Sequence, residues 1–230
     1  MPQTLAIVGH GKMGKLIEQL APEYGFAIEA RIDVGGDLAA ARGADVAVEF
    51  TEPNAVVSNV ETLASLGVST VVGTTGWLSE LDRVRAAVER HGTGLVWSPN
   101  FSIGVNVFFR LVREAARLLE SEPQYGAWAW EIHHATKKDA QSGTLLKLVE
   151  EMKNAGYRRP INASSNRAGA HPGTHEIGFD SAADTITLRH AARSREGFAR
   201  GALKAAQWLP GKSGIFQFEE ILFQTKANAT

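Results

Sequence analysis

The chain predicts an α/β fold: an N-terminal parallel sheet covered by helices, followed by a second α+β domain built on a mixed sheet. Three observations carry this. The first hundred residues alternate short apolar runs with helical segments, the pattern of a parallel sheet wrapped on both faces. A glycine-rich turn joins the first run to the first helix. Beyond residue 102 strand follows strand without a regular crossover.

Leu5 to Val8 is an apolar run ending at Gly9, a buried strand. Met13, Leu16, Ile17 and Leu20 recur at helical spacing over Lys12 to Leu20. Phe26 to Ile32 and Val46 to Phe50 read as strands, and the stretch between Asp33 and Val46 is too short for a full crossover helix. Asn54 to Leu66 is a helix entered after Pro53 and closed by Gly67; Val68 to Val72 is the fourth strand. Ser79 to His91 is a helix with a serine start, Glu80 and Asp82 early and Gly92 at its end, and Leu95 to Trp97 is the fifth strand. Val105 to Leu119 then carries an apolar stripe of Val105, Phe108, Leu111, Val112 and Leu119. Ala127 to His134 is a strand with Trp128, Trp130 and Ile132 on one face, and Thr144 to Lys153 is an amphipathic helix that turns Leu145, Leu146, Leu148, Val149 and Met152 to a core. Glu176 to Asp180 and Thr185 to Arg189 form a hairpin, and Glu196 to Leu209 is helical. The expected domain boundary falls near Ser102, in a loop rich in polar and small residues, which makes 1–102 the first domain.

Composition narrows the function classes. The 230 residues are 44% hydrophobic, enough for one large core or two modest ones. Charge is balanced, 24 Lys and Arg against 25 Asp and Glu, with no like-charge block, so no nucleic acid and no anionic membrane is expected as a partner. The absence of cysteine excludes disulfides, thiolate metal sites and thiol nucleophiles. Met1 to Val8 lacks a basic lead and a long apolar run, so a cytoplasmic protein is expected. The polar tail from Thr225 to Thr230 is expected to fray.

Gly9-His10-Gly11-Lys12-Met13-Gly14 fits G-x-G-x-x-G between a strand and a helix, the setting of a Rossmann-type dinucleotide site. The first glycine turns the chain, the second admits a pyrophosphate and the third lets helix pack on strand, while the helix N-terminus offers N–H donors. Asp33 ends the next strand about 20 residues on, where a carboxylate meets ribose hydroxyls. Gly73-Thr74-Thr75-Gly76 and Ser98-Pro99-Asn100-Phe101 follow the fourth and fifth strands, at the edge where such sheets bind the nicotinamide half. Their composition also suits ordinary turns.

The richest segment runs from Glu131 to Thr144. His133 moves protons near neutral pH, Lys137 and Lys138 bring charge, and Ser142-Gly143-Thr144 opens a helix whose free N–H groups suit a carboxylate. A surface turn would also use two lysines, and adjacent histidines point to opposite faces of a strand. No metal is expected: His133, His134 and Asp139 have ligand chemistry, but neighbouring lysines repel a dication. His171, His175 and His190 lie outside this segment and are read as structural.

His133-His134-x-x-Lys137-x-Asp139-Ala-Gln-Ser-Gly143-Thr144 resembles the H-H-x-x-K-x-D-A-P-S-G-T signature of the 4-hydroxy-tetrahydrodipicolinate reductases. Gly73 to Gly76, Asn100 to Val107, Arg167 to Gly169 with Gly173 to Glu176, and Phe198 to Ala202 followed by Ala206 and Trp208 are similar to further family stretches, in order along nearly the whole chain. The resemblance implies His133 as proton donor/acceptor, Lys137 as proton donor, and His134, Gly143 and Thr144 as substrate-binding. It assigns Gly9 to Gly14, Asp33, Gly73, Thr74, Thr75, Ser98, Pro99, Asn100 and Phe101 to the nucleotide. It implies reduction of a cyclic imine dicarboxylate by NADH or NADPH in lysine and diaminopimelate biosynthesis, a homotetramer built through the second sheet, and a last segment, 205–230, that returns to the first domain and leaves 103–204 as the second. Asp33, followed by Val34-Gly35-Gly36, favours NADH, with Lys12 and Arg42 the residues that argue for NADPH.

Three departures stand out. The glycine loop is one residue shorter than the common family form, the stretch after Asp33 is short, and Gln141 stands where the family has proline, which is expected to loosen the anion loop. The competing readings are a Rossmann-type reductase for another imine, a semialdehyde dehydrogenase, disfavoured by the missing cysteine, and a non-catalytic nucleotide sensor.

Overall fold

The computed structural model describes residues 2–224, so the tail from Thr225 lies outside it. The chain divides into two compact units: residues 1–103 with 196–230, and residues 104–195.

The first unit is built on a six-stranded sheet of β1 (Gln3–Val8), β2 (Phe26–Ile32), β3 (Val46–Glu49), β4 (Ser69–Val72), β5 (Gly94–Trp97) and β10 (Gly214–Gln217). Their order is β10-β5-β4-β3-β1-β2 and every pairing is parallel. A parallel pair needs a crossover. α1 (Lys12–Leu20), α2 (Pro53–Ser65) and α3 (Leu81–His91) supply three, and a single 3-10 turn, Leu38–Ala41, serves the short stretch before β3. α2 starts with proline in its first turn, and Gly92 closes α3 at a φ of 65°. The expected serine start of α3 is corrected: Ser79 falls in a 3-10 turn, Leu78–Glu80, and α3 begins at Leu81 with no side-chain cap.

α6 (Glu196–Trp208) packs Ala199, Ala202, Leu203 and Ala206 against Leu5, Ile7, Val48 and Val71 in the core of this same unit. The return to the first unit therefore comes at Glu196, the start of α6, and not within that helix at the expected residue 205. The apolar face of α6 needs that core for cover.

The second unit holds a mixed sheet of β6 (Gly126–His133), β7 (Ile161–Arg167), β8 (Thr174–Asp180) and β9 (Thr185–Ala191), in the order β7-β6-β8-β9. β6 runs parallel to β7 and antiparallel to β8, and β8 and β9 form the expected hairpin. α4 (Ile103–Leu119) and α5 (Gly143–Asn154) cover one face through Val105, Phe108, Phe109, Val112, Leu145, Leu148 and Met152, against Ala127, Ala129, Ile177 and Phe179. Leu111 and Leu146, expected on those stripes, are exposed. Each sits one residue from a stripe member, about 100° around the helix, which turns it off the buried face.

Candidate active site

The carboxyl ends of β1, β2, β3 and β4 are stitched together by backbone hydrogen bonds: Gly9 N–H to Ile32 O, Phe50 N–H to Val8 O, and Gly73 N–H to Glu49 O, at 2.8, 2.8 and 2.9 Å. The glycine loop fits a dinucleotide. Gly9 has a φ of +91° and a side chain there would lie 2.2 Å from Phe50 O; one at Gly14 would lie 2.3 Å from Gly9 O. Gly11 faces open space, caps α1 and has no side chain competing for the first-turn N–H groups. Turn, open approach and close packing are the three roles the motif requires.

The other proposed cofactor residues are placed as follows. Asp33 is exposed at the end of β2, its Oδ1 accepting Val34 N–H at 3.0 Å, and Val34 is fully exposed. Lys12 and Arg42 are both exposed. His10 pairs with Glu18 at 2.6 Å, and Arg31 holds the same carboxylate at 2.7 Å. Met13 packs against the core. Thr74 Oγ accepts Thr51 N–H at 2.8 Å, while Thr75 is exposed. Ser98 Oγ is hydrogen-bonded to Asn100 O and N–H, and Pro99 is exposed. Phe101 is buried against Phe218, ring centroids 5.0 Å apart, so its side chain belongs to the core and only its backbone can face a ligand.

In the second unit β6 alternates. Ala127, Ala129, Glu131 and His133 are buried, whereas Trp128, Trp130 and Ile132 are half-buried on the opposite face. Sheet register then builds a polar row: Ser165 of β7, Glu131 of β6, His175 of β8 and His190 of β9 are successive neighbours. Two residues further along these strands, Arg167 stands beside His133. Glu131 is fully buried and accepts from Ser142 N–H and Ser165 Oγ, each at 2.9 Å, from Arg167 Nη2 at 3.0 Å, and from Ser142 Oγ; His175 Nε2 lies 3.2 Å away. Burial opposes this charge, but His175, Ser142 and Arg167 prevail and hold the carboxyl well below the usual carboxylate range.

His133 has the opposite balance. Its Nδ1 is buried without a hydrogen-bond partner, 3.6 Å from Glu131 Oε2. Burial pushes its pKa down to about 4, helped by the charges of His175, Lys137 and Arg167 and opposed by Glu131. His133 is therefore neutral at pH 7. Gly173 leaves room for the ring, since a side chain there would meet His133 Nε2 at 2.9 Å. Arg167 Nε and Thr174 Oγ are likewise buried without partners.

Lys137 Nζ pairs with Asp139 at 2.8 Å, and His134 Nδ1 meets Thr136 Oγ at 2.8 Å. Ser142 caps α5 by accepting Leu145 N–H at 3.2 Å, and Gly143 and Thr144 form the helix's first turn, Gly143 facing open space. Gln141 precedes them at a φ of +65°, its N–H donated to Ser165 at 3.1 Å. This corrects the expected loosening: proline, fixed near −65° and lacking an N–H, does not fit this turn, and Gln141 anchors it.

The structure thus joins His133, Lys137 and the start of α5 through three residues the sequence reading did not select: Glu131, Arg167 and His175. For Glu131 the signal was available, because a period of two from Ala127 and Ala129 puts it on the core face. His175 needed the strand register. Glu131, His133 and His175 each offer a ligand atom, all within 4.8 Å of one another. Arg167 already supplies positive charge to that carboxylate, and we assign no metal there.

Comparison with known proteins is consistent along the whole chain. Residues 3–101 match the family profile described as dihydrodipicolinate reductase, N-terminus, and residues 104–222 match its C-terminus counterpart. A 4-hydroxy-tetrahydrodipicolinate reductase of Christiangramia forsetii is 34% identical, covering 95% of this chain and 97% of its own. One from Anaeromyxobacter dehalogenans is 37% identical over 83% of this chain and 77% of its own. A dipicolinate-bound dihydrodipicolinate reductase from a Paenisporosarcina species superposes with a TM-score of 0.78 at 20% identity, covering 96% of this chain and all of that one, which shows the shared fold.

Proposed function

The chain belongs to the dihydrodipicolinate reductase family, and from that premise we propose that it reduces the cyclic imine dicarboxylate 4-hydroxy-tetrahydrodipicolinate to tetrahydrodipicolinate, with a nicotinamide cofactor as reductant, in lysine biosynthesis. The observation that carries the reading is the family match over both units, joined to the His133 and Lys137 cluster beside the first turn of α5.

The glycine loop and the ends of β2, β4 and β5 would hold the cofactor, which when bound supplies hydride to substrate carbon C4. The residues of the second unit handle the remaining charge. The N–H groups of Gly143 and Thr144 suit a substrate carboxylate, and the family likeness gives His134 to the substrate as well. Loss of the 4-hydroxyl as water gives the C3=C4 unsaturated imine, and hydride at C4 then leaves an enamine across C2 and C3 that requires a proton at C3. Lys137 is the fitting donor, since His133 is neutral until a dianionic substrate raises its proton affinity. Lys137 must first give up Asp139. The same proposal places the enzyme in the cytoplasm; among the described residues no helix is long and apolar enough to cross a membrane.

NADH is the favoured cofactor, with NADPH still used. Exposed Asp33 accepts hydrogen bonds from ribose hydroxyls and repels a 2′-phosphate, and Arg31, on the same strand, is held by Glu18. A like-charge contact near 4 Å costs about 4 kcal/mol at a protein surface. We expect kcat/KM to be higher with NADH at one ionic strength and Asp33→Ala to shrink the difference; an unchanged ratio in Asp33→Ala removes Asp33 from the ribose.

The activity test supplies the product of a dihydrodipicolinate synthase and follows nicotinamide absorbance. Consumption of NADH or NADPH dependent on that product is expected. Cofactor binding with no turnover would instead favour a nucleotide sensor.

A further inference from the structure

Resting on that reading of the reaction, the geometry points to Glu131 as a positioning residue that acts through two arms at once, His133 and the N-cap of α5. One arm is electrostatic. His133 Nδ1 has no partner and faces Glu131 Oε2 at 3.6 Å, just beyond hydrogen-bond reach. A proton taken up there finds a carboxylate waiting, so Glu131 favours imidazolium and fixes the ring when His133 is charged. His175 from β8, Arg167 from β7 and Lys137 from the following loop oppose that. Glu131 is thus the carboxylate that favours proton uptake by His133 when a dicarboxylate is bound.

The second arm is mechanical. Ser142 Oγ donates to Glu131, accepts Leu145 N–H and lies 3.1 Å from His175 Nε2. Ser142 N–H is also given to Glu131. The hydroxyl of an N-cap is ordinarily free to rotate. Here the carboxylate fixes its direction, and with it the orientation of the Gly143 and Thr144 N–H groups that would receive a substrate carboxylate. Arg167 extends the clamp, because Nη2 donates both to Glu131 and to Asp139 O in the Lys137 loop. One buried carboxylate therefore sets the acid/base histidine, the anion cradle and the lysine loop in a common frame.

The test is Glu131→Gln, which keeps the shape and removes the charge, with Glu131→Asp as the conservative comparison. We expect kcat/KM for the imine dicarboxylate to fall by about 10²-fold, with KM raised as well as kcat lowered. NADH affinity should stay unchanged, and Glu131→Asp should recover part of the loss. The decisive readout is the His133 titration by NMR with labelled histidine, which should move to lower pH in Glu131→Gln. A folded Glu131→Gln with kcat/KM within twofold of wild type and an unmoved His133 titration overturns the proposal. If Glu131→Gln does not fold, Ser142→Ala cuts the mechanical arm alone. It should weaken dipicolinate binding by calorimetry about tenfold, leaving the His133 titration in place, and unaltered binding counts against the clamp. Failure of the wild-type enzyme to use the synthase product would refute the reaction assigned above, and the His133 titration would still decide the role of Glu131.

Discussion

At the scale of single residues, the site separates two groups that look alike in sequence. Lys137 is a cation held near the surface by Asp139, and His133 is a neutral base beneath it. We expect Lys137→Ala and His133→Ala to keep cofactor binding and to lower kcat by about 10²–10⁴, the usual worth of a positioned acid or base; near-normal turnover in both sinks their assignment. The depressed pKa of His133 has a thermodynamic counterpart. Between its folded value of about 4 and the unfolded value near 6.5, the unfolded chain binds the extra proton, so this residue makes stability rise with pH across that window. Glu131, held below its ordinary range, adds stability that is present above its unfolded pKa and lost as pH falls toward its folded value. The urea midpoint should therefore drop from pH 7 to pH 5, and His133→Asn should flatten that drop. Equal slopes in the two proteins would show that His133 is not the titrating group. His133 and Lys137 were legible because their types are unusual together. His175 was not, since its meaning comes from standing opposite Glu131 on a strand far away in sequence.

At the scale of elements, apolar periodicity was a good guide wherever one face is buried. It located β1 to β5 and α1 to α6 to within a few residues, and missed the short helix Phe218–Leu222. It missed β7, whose sequence Ile-Asn-Ala-Ser-Ser-Asn-Arg is polar and alternates only between half-buried and exposed. Such a strand gains its place from pairing with β6, which no local pattern records. β10 was missed because four residues at a sheet edge, closing a parallel pair with β5, carry too little pattern. The strand-to-helix turn after β1 was fully legible, and its three glycines should respond differently to one methyl group. Gly14→Ala meets backbone at 2.3 Å and should lower the melting temperature. Gly11→Ala meets nothing within 4 Å, so stability should hold while NADH affinity falls about tenfold or more, a loss of roughly 1.4 kcal/mol. Equal cofactor affinity in Gly11→Ala would move the pyrophosphate elsewhere.

At the scale of the whole molecule, the outer face of the second sheet is the feature that asks for a partner. Trp128 and Trp130 are half-buried on it beside Asn162, Ser164 and the Glu176–Arg189 pair. We expect a homotetramer assembled on this face, measured as four chain masses by light scattering at micromolar concentration. Trp130→Glu should lower the assembly state, and a wild-type monomer would refute the expectation. The sequence showed that two units exist, from the change of pattern near residue 102. It did not show where the second unit ends, because α6 looks the same whichever core it joins. That discontinuity bears on how the chain is made. Synthesis runs from the N-terminus, and domains tend to fold as they emerge. The first sheet leaves the ribosome lacking α6 and β10, so Leu5, Ile7, Val48 and Val71 stay uncovered on one side while the 104–195 segment is still being translated. That segment, contiguous in sequence, can complete itself first. The first unit is begun first and finished last, and until α6 is made one face of its sheet waits for its cover.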